Sequence, residues 1–581
     1  MIRCLANKII SPLGEGTTVN YEAVKAGRSA LRRYTQRWGL QEPFAASLFS
    51  DEQMETLSVE GLTRFESLAF RSASKAVEQA GIDVTDSRTV FILSTTKANI
   101  ELLKDSNTDV DAVGPSTAAT HIAARLGVIT EPIVVCNACI SGVAALVLAL
   151  RLLETKQYDY AIVCGADVQS KFTVSGFQSL KAVSGEECRP FDLERLGLNL
   201  GEGAATMIVA RPEIASTELP AWFIERGAIR NDAFHISSPS KDGEGAFLAI
   251  KSVLEDISEL SFINAHGTAT MFNDQMESVA IERAGLSDVP VNGLKGVFGH
   301  TLGAAGLIET IISMAAIDDG TVLGTKGFQE KGVSGKIILS AENTASPKTA
   351  FIKMISGFGG GNATLLVRKK RATPFLPEKE LPEESFQTVH RLLLTPTSLT
   401  IDGCNIQIQE TGALLLTWLY KTFIGDYPKY YKMDGLCRLG LIATELLLGK
   451  EARNRFTSCE DRAITLMNHS SSISADRKYL ESIADKDNCF PSPSVFVYTL
   501  PNIVTGEIAM RNNYHGETSF YITERRDDYL IQQVVEASFA DFKTKSVIGG
   551  WIDYLDDNHY EADIFIKVKV KREECNTAMK Y

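Results

Sequence analysis

Short β-rich runs alternate with helical patterns along the first 370 residues, and this alternation most constrains the fold. Thr89–Leu93, Ile133–Val135, Tyr160–Val163 and Phe262–Asn264 carry the β-branched and aromatic residues of strands. Between them Gly142–Glu154 and Leu302–Ala316 show helical periodicity. Strands that return through helices build α/β layers. After residue 387 the pattern resumes, with strands read at Arg462–Met467, Val495–Tyr498 and Asp563–Val570 and helices at Leu436–Leu448 and Tyr529–Phe542. Between the two parts, Pro374, Pro377 and Pro382 interrupt a charged, non-helical stretch. The expected division is a first domain at 1–370, a linker at 371–387, a second domain at 388–570 and a tail at 571–581.

At 581 residues, more than one domain is expected. The net charge of −13 argues against nucleic acid or an anionic membrane surface as the main partner. No apolar run reaches the roughly 20 residues of a membrane span, and the start lacks a secretory apolar core. The default location is the cytoplasm, where the ten cysteines would be reduced.

Pro501–Asp553 aligns without a gap on Pro115–Asp167. Pro501 falls on Pro115, Ile508-Ala509 on Ile122-Ala123, Arg511 on Arg125, Glu517 on Glu131, Ile548 on Ile162 and Asp553 on Asp167. This reads as a duplication, with chance similarity between two α/β segments as the alternative.

Ile133 to Leu146 runs from an apolar strand through a tight turn into an apolar helix and puts Cys139 at the helix N-terminus. There the macrodipole and free N–H groups favour a thiolate. The bland alternative is a buried structural thiol. Cys136 and Cys139 also spell C-x-x-C, but no second pair completes a zinc site and no thioredoxin-like context follows, so neither metal nor redox chemistry is expected. Asn264–Thr270 and Lys295–Gly306 each place a histidine, His266 and His300, among small residues, where an imidazole can donate to a carbonyl oxygen. Gly357–Asn362 is glycine-rich but leads into a strand and lacks the Gly-Lys-[Ser/Thr] of a phosphate loop. It can instead bring backbone N–H groups close to a reacting atom.

Together these motifs resemble those of the β-ketoacyl-acyl-carrier-protein synthases. Ala138–Gly142 looks like the nucleophile motif, His266–Thr270 and Lys295–Gly306 like the two histidine motifs, and Gly357–Asn362 like the glycine-rich loop. Arg189–Asp192, Gly201–Ala204 and Asn231–His235 add support. The resemblance implies a thiolase-like α-β-α-β-α five-layer fold and a decarboxylating Claisen condensation. Cys139 would carry the acyl chain, and His266 and His300 would donate to the malonyl thioester carbonyl. The N–H groups of Cys139 and Phe358 would form the oxyanion hole, with Lys295 and Glu309 supporting. Thr268, Thr270, Ser356 and Gly359 would bind substrate, Ser356 standing where elongating members usually carry a gating Phe. Thiolases would place a second Cys at His300, and chain-starting synthases a Cys-His-Asn set.

The resemblance implies an acyl carrier protein as partner, bringing its own phosphopantetheine, no resident cofactor, and a homodimer or a heterodimer with another ketoacyl synthase. Arg64, Lys432 and Lys25–Arg37 are candidate cations for the carrier. The second domain resembles a partial, thiolase-like N-terminal half, with Lys432-Met433-Asp434 like the family's early basic element. Arg525 falls at the position of Cys139, which makes the domain catalytically silent, like a chain-length factor. The alternatives are a non-elongating partner protein and a malonyl-carrier decarboxylase.

Overall fold

The computed structural model describes residues 1–105, 108–214, 219–371, 385–452, 455–484 and 490–570. Most of the expected linker and the whole tail at 571–581 lie outside the described residues.

One half-unit occurs three times. In the first, β1 (Ile2–Ser11), α1 (Arg64–Ala80), β2 (Thr89–Ser94), α2 (Pro115–Leu126), β3 (Ile133–Val135), α3 (Ser141–Glu154), β4 (Tyr160–Asp167) and β5 (Gly203–Ala210) form a sheet of order β3-β2-β4-β5-β1. A further helix, α4 (Lys171–Ser179), follows β4. The second unit comprises β6 (Pro220–Asn231), α5 (Glu244–Val253), β7 (Leu260–Asn264), α6 (Met271–Arg283), β8 (Pro290–Asn292), α7 (Ala305–Asp318), β9 (Ala350–Gly357) and β10 (Gly361–Arg371). It repeats the same order as β8-β7-β9-β10-β6.

The third unit has β11 (Ser385–Thr395), α8 (Gly435–Leu448), β12 (Arg462–Asn468), α9 (Ile473–Ala484), α10 (Pro493–Tyr498), α11 (Ile503–Asn512), β13 (Thr518–Ile522), α12 (Asp528–Ala537), β14 (Ser546–Asp556) and β15 (His559–Val570). Its order, β13-β12-β14-β15-β11, is again the same. In every unit the first three strands of that order are parallel and the fourth runs antiparallel to both of its neighbours, so the fifth points the same way as the first three. The five-layer expectation holds for the first two units: α1 and α2, sheet, α3 with α7, sheet, α5 and α6.

The central layer explains the sequence of α3. Nearly every residue from Ser141 to Leu153 is buried, so the helix has no polar face. Each fully buried Val or Leu there is worth about 1.5–3 kcal/mol. The helix crosses α7 at glycine: a Cβ on Gly142 would meet Gly303 O at 2.9 Å, and one on Gly306 would meet Val143 N at 2.6 Å. Close approach of the two helix starts brings the turn before α3 to the turn before α7.

Val495–Tyr498, expected as a strand, is the helix α10. Its Val-Phe-Val-Tyr sequence suits a strand, but Pro493 opens the first turn and the Ser492 hydroxyl caps the N–H of Val495. Phe496 then packs onto α4. The remaining expected strands and helices lie within observed ones of the same type, apart from the helix ends, where Leu302–Ala304 and Ser538–Ala540 are 3₁₀ turns and Asp541 and Phe542 lie beyond the helix.

The third unit joins the first edge to edge. β13 pairs antiparallel with β3, Tyr521 opposite Val135 and Ile522 opposite Val134. In the register that lays Pro501 on Pro115, Tyr521 is the counterpart of Val135 itself, so a local two-fold axis passes through this pair. Arg151 of the first unit meets Glu517 at 2.6 Å, and Arg230 of the second meets Asp541, all four side chains buried.

Candidate active site

The three motifs converge because equivalent turns converge. Cys139 lies in the turn between the third strand and third helix of unit one, and His300 in the same turn of unit two. His266 lies after β7. The sulfur and one ring nitrogen from each histidine lie within 4.8 Å of one another, and all three residues are buried. Among the described residues this is the His/Cys/acid cluster whose donor atoms come close enough to hold a metal ion. The imidazoles stand edge to face, 4.9 Å between centroids.

Non-glycine residues with left-handed φ flank each motif: Ala138 at 50°, Ala269 at 62° and Leu302 at 50°. Such backbone costs energy and persists where the surrounding structure over-determines it, often at functional sites.

Each group has an identifiable environment. Burial pushes the Cys139 thiol up to about 12, against the opposing pull of Lys295 and of the backbone N–H groups of Cys139 and Phe358, which face the sulfur. The helix-start effect expected from sequence is therefore outweighed in the resting site. Burial, reinforced by Lys295, holds both imidazoles well below their ordinary value, and they are neutral. The N–H of Leu302 donates to His300 Nδ1 at 3.2 Å. That bond makes Nδ1 the acceptor, so Nε2 carries the proton and offers it to the cavity.

Lys295 Nζ donates to His266 O and to Glu309, both at 2.7 Å. Burial disfavours the Glu309 carboxylate, but Lys295 and Lys353 more than offset it and keep Glu309 below its ordinary value. Lys353, absent from the sequence reading, bonds Glu309 and the carbonyl of Ala265. A lysine within Phe351-Ile352-Lys353-Met354-Ile355, in an otherwise apolar strand, was the available signal. Glu277 was also missed; it accepts the N–H groups of His266 at 2.6 Å and Gly267 at 2.8 Å.

A cavity of about 350 Å³ leads from the surface to Cys139, His266 and His300 and is lined by Thr268, Thr270, Ser356 and Phe358. The Ser356 hydroxyl donates to Asn362 at 2.7 Å. Gly359, expected at the substrate, is a correction. Its backbone is pressed against the third unit, where a Cβ on Gly506 would meet Gly359 O at 2.4 Å. That close packing leaves it outside the lining. Arg64 is likewise no free cation, because it bonds both carboxylate oxygens of buried Glu202 at 2.7 Å.

The third unit holds the site in place. Phe520 N donates to Asn137 Oδ1 at 2.7 Å, next to the cysteine turn, and Asn502 donates to Phe358 O at 2.9 Å. At its own equivalent turn Arg525 is exposed.

Residues 6–215 match the model of the β-ketoacyl synthase N-terminal domain and residues 223–329 that of its C-terminal domain, together more than half of the chain. The chain belongs to the β-ketoacyl synthase family. It is 28% identical over 410 residues to 3-oxoacyl-[acyl-carrier-protein] synthase 2 of Rhizobium meliloti (strain 1021), an alignment covering 62% of this chain and 97% of that protein. In fold it is similar to the PfaC keto synthase-chain length factor, with TM-score 0.77 and 16% identity, over 98% of this chain and 78% of that one. It is also similar to a type II polyketide ketosynthase solved with its acyl-carrier protein, with TM-score 0.55 and 23% identity, over 63% of this chain and 98% of that one. Among the described residues no helix is long and apolar enough to cross a membrane.

Proposed function

We propose that the chain is an acyltransferase of the 3-oxoacyl-acyl-carrier-protein synthase type, extending a Cys139-bound acyl group with malonyl-carrier protein. The observation that carries this is the convergence of Cys139, His266 and His300 at the foot of one cavity, with His300 Nε2 held as a donor.

The sulfur attacks the incoming acyl thioester. The oxyanion of the tetrahedral intermediate accepts from the N–H groups of Cys139 and Phe358, and the carrier sulfur leaves as a thiol, taking up the proton that the Cys139 thiol gives up. Malonyl-carrier protein then occupies the same cavity, its thioester oxygen facing the two imidazoles. Breaking the bond to CO₂ leaves its electron pair as an enolate, whose oxygen accepts from His266 and from His300 Nε2. Donors placed where charge develops stabilise the transition state more than the ground state. The carbanion attacks the acyl carbonyl, and the intermediate expels the Cys139 sulfur. No base need abstract a carbon-bound proton, so the imidazoles serve only as N–H donors. Lys295, Lys353, Glu309 and Glu277 position the histidines, and Thr268 and Thr270 flank the pantetheine arm.

On this reading the phosphopantetheine arrives on the carrier protein and the chain needs no metal or resident cofactor. The third unit is silent, since Arg525 offers no nucleophile.

Products bound to the carrier protein, identified by mass spectrometry after supplying acyl- and malonyl-carrier protein, test the proposal. A 3-oxoacyl product two carbons longer, absent with Cys139→Ala, is expected. One observation favours a second reading, a malonyl-carrier decarboxylase: the space beyond Cys139 is almost closed, at about 20 Å³. Loss of CO₂ with no condensation at any acyl length would select it.

A further inference from the structure

Phe358 sits in a loop clamped between two parts of the molecule. On one side a Cβ on Gly357 would meet the backbone N of Cys139 at 3.2 Å, so the loop lies against the cysteine turn. On the other side a Cβ on Gly359 would meet the side-chain nitrogen of Asn502 at 2.7 Å, so the loop also lies against the start of α11. The N–H of Phe358, which faces the sulfur, is carried between these two contacts. The peptide that joins Phe358 to Gly359 is held at both ends. Asn502 Nδ2 donates to its carbonyl oxygen at 2.9 Å, and its N–H donates to Ile236 O at 2.7 Å. Glycines on either side of Phe358 give this stretch wide backbone freedom, and Gly359 stands in the left-handed region at φ 87°. Without the Asn502 bond the peptide would pivot on its bond to Ile236 alone, and the N–H of Phe358 would swing with it.

Asn502 is arranged for this contact at the expense of its own helix. It stands at the N-cap of α11, where an asparagine side chain ordinarily accepts a hydrogen bond from the first turn. Here φ −65° and ψ −9° give it helical backbone, no cap bond forms, and the side chain crosses the seam instead. The residue is buried, and its Oδ1 has no hydrogen-bond partner among the described residues. Asn502 lines neither the entry cavity nor the small space beyond Cys139. Its reach is therefore to the loop and not to the substrate path.

We propose that Asn502 is a positioning residue for acyl transfer, which from the third unit holds the Phe358 N–H where the oxyanion of the tetrahedral intermediate forms. This rests on the reading of Cys139 as acyl acceptor. Steps that bring an acyl carbonyl to the sulfur depend on Asn502, and reactions of the same sulfur that form no oxyanion do not. A donor aligned in advance with a developing oxyanion is worth about 10²–10³ in rate, and a misplacement of about 1 Å can cost about 10²-fold.

The test compares two reactions of Cys139 in the full-length protein, each followed as an adduct by intact-protein mass spectrometry. Acylation by acetyl-N-acetylcysteamine passes through an oxyanion and releases N-acetylcysteamine as its thiol. Alkylation by iodoacetamide displaces iodide from carbon and passes through none. Asn502→Asp keeps the shape of the side chain but turns an oxygen toward the Phe358 carbonyl, and Asn502→Ala removes the amide. Each should slow acylation at saturating thioester by about 10–100-fold, with KM and the alkylation rate little changed. Acylation at the wild-type rate in both variants overturns the proposal. So does an equal loss of acylation and alkylation, which marks a disordered site and not a misaligned donor. If one variant shows no cooperative urea transition, the other decides. If wild-type Cys139 alkylates but takes no acetyl group, the acyl-acceptor reading itself falls, a result distinct from the absence of an Asn502 effect.

Discussion

Cys139 is held between opposing demands: a nucleophile needs its thiolate, while burial favours the thiol. Since burial raises the thiol to about 12, the deprotonated fraction keeps growing past the point where an ordinary thiol, near 8.5, levels off. Alkylation of Cys139 by iodoacetamide should therefore keep accelerating well above pH 9, and a plateau near neutrality would contradict the burial argument. The imidazoles have the opposite sign. Their lowered values mean that protonation arrives only at lower pH, so condensation should survive acidification through pH 6.5 without the loss an ordinary histidine would cause. A rate that halves near 6.5 would mean that a working imidazole titrates at its ordinary value, against the lowering that burial imposes. Lys353 gives a stability prediction. Lys353→Met leaves buried Glu309 with Lys295 alone, and losing one partner of a buried pair costs about 3–5 kcal/mol. The urea midpoint should fall accordingly, while an unchanged midpoint would show that Lys295 suffices.

At the scale of elements, the crossing of α3 and α7 joins chemistry to packing. Gly306→Ala should force the helices apart, costing about 1–3 kcal/mol and separating Cys139 from His300. A lowered urea midpoint together with slower decarboxylation is expected, and normal values for both would mean that the crossing has slack. Much of this was legible in sequence. The run from Ile133 to Leu146 announces strand, turn and apolar helix, and the gapless match of 501–553 to 115–167 leads to the pairing of Tyr521 with Val135. The residues between Asn264 and Gly306 gave both histidines. What stayed hidden depends on tertiary contact. Phe496 carries strand-forming neighbours, yet its place on Gly176 turns the segment helical. Gly359 belongs to a loop that does line the cavity, but Gly506, from a distant unit, decides which way it packs. That the second unit repeats the first is expected only through the family resemblance, which implies two similar halves, because the match lies in hydrogen bonding and not in residue identities.

For the molecule as a whole, the third unit differs from the first in its outer helix and resembles it in how tightly it is joined. Its α12 matches α3 in position, yet where α3 is buried all round, α12 presents Asp528 and Tyr529 to solvent and leaves Gln532, Gln533 and Glu536 only partly covered. Its seam with the first two units is the opposite, holding Arg151 with Glu517, Arg230 with Asp541 and Lys97 with Asp476 away from water. Cutting these pairs would strand buried charges, so the third unit is an integral part of the fold. It also fills the edge of β3 about a local two-fold axis, in the manner of an isologous dimer whose two copies share one chain. A homodimer or a second synthase, expected from the family resemblance, finds that edge already paired. The chain should therefore sediment as a single 63.4 kDa particle at micromolar concentration. A particle of twice that mass, unaffected by charge-reversing Glu517→Lys at the seam, would show that copies associate through another face.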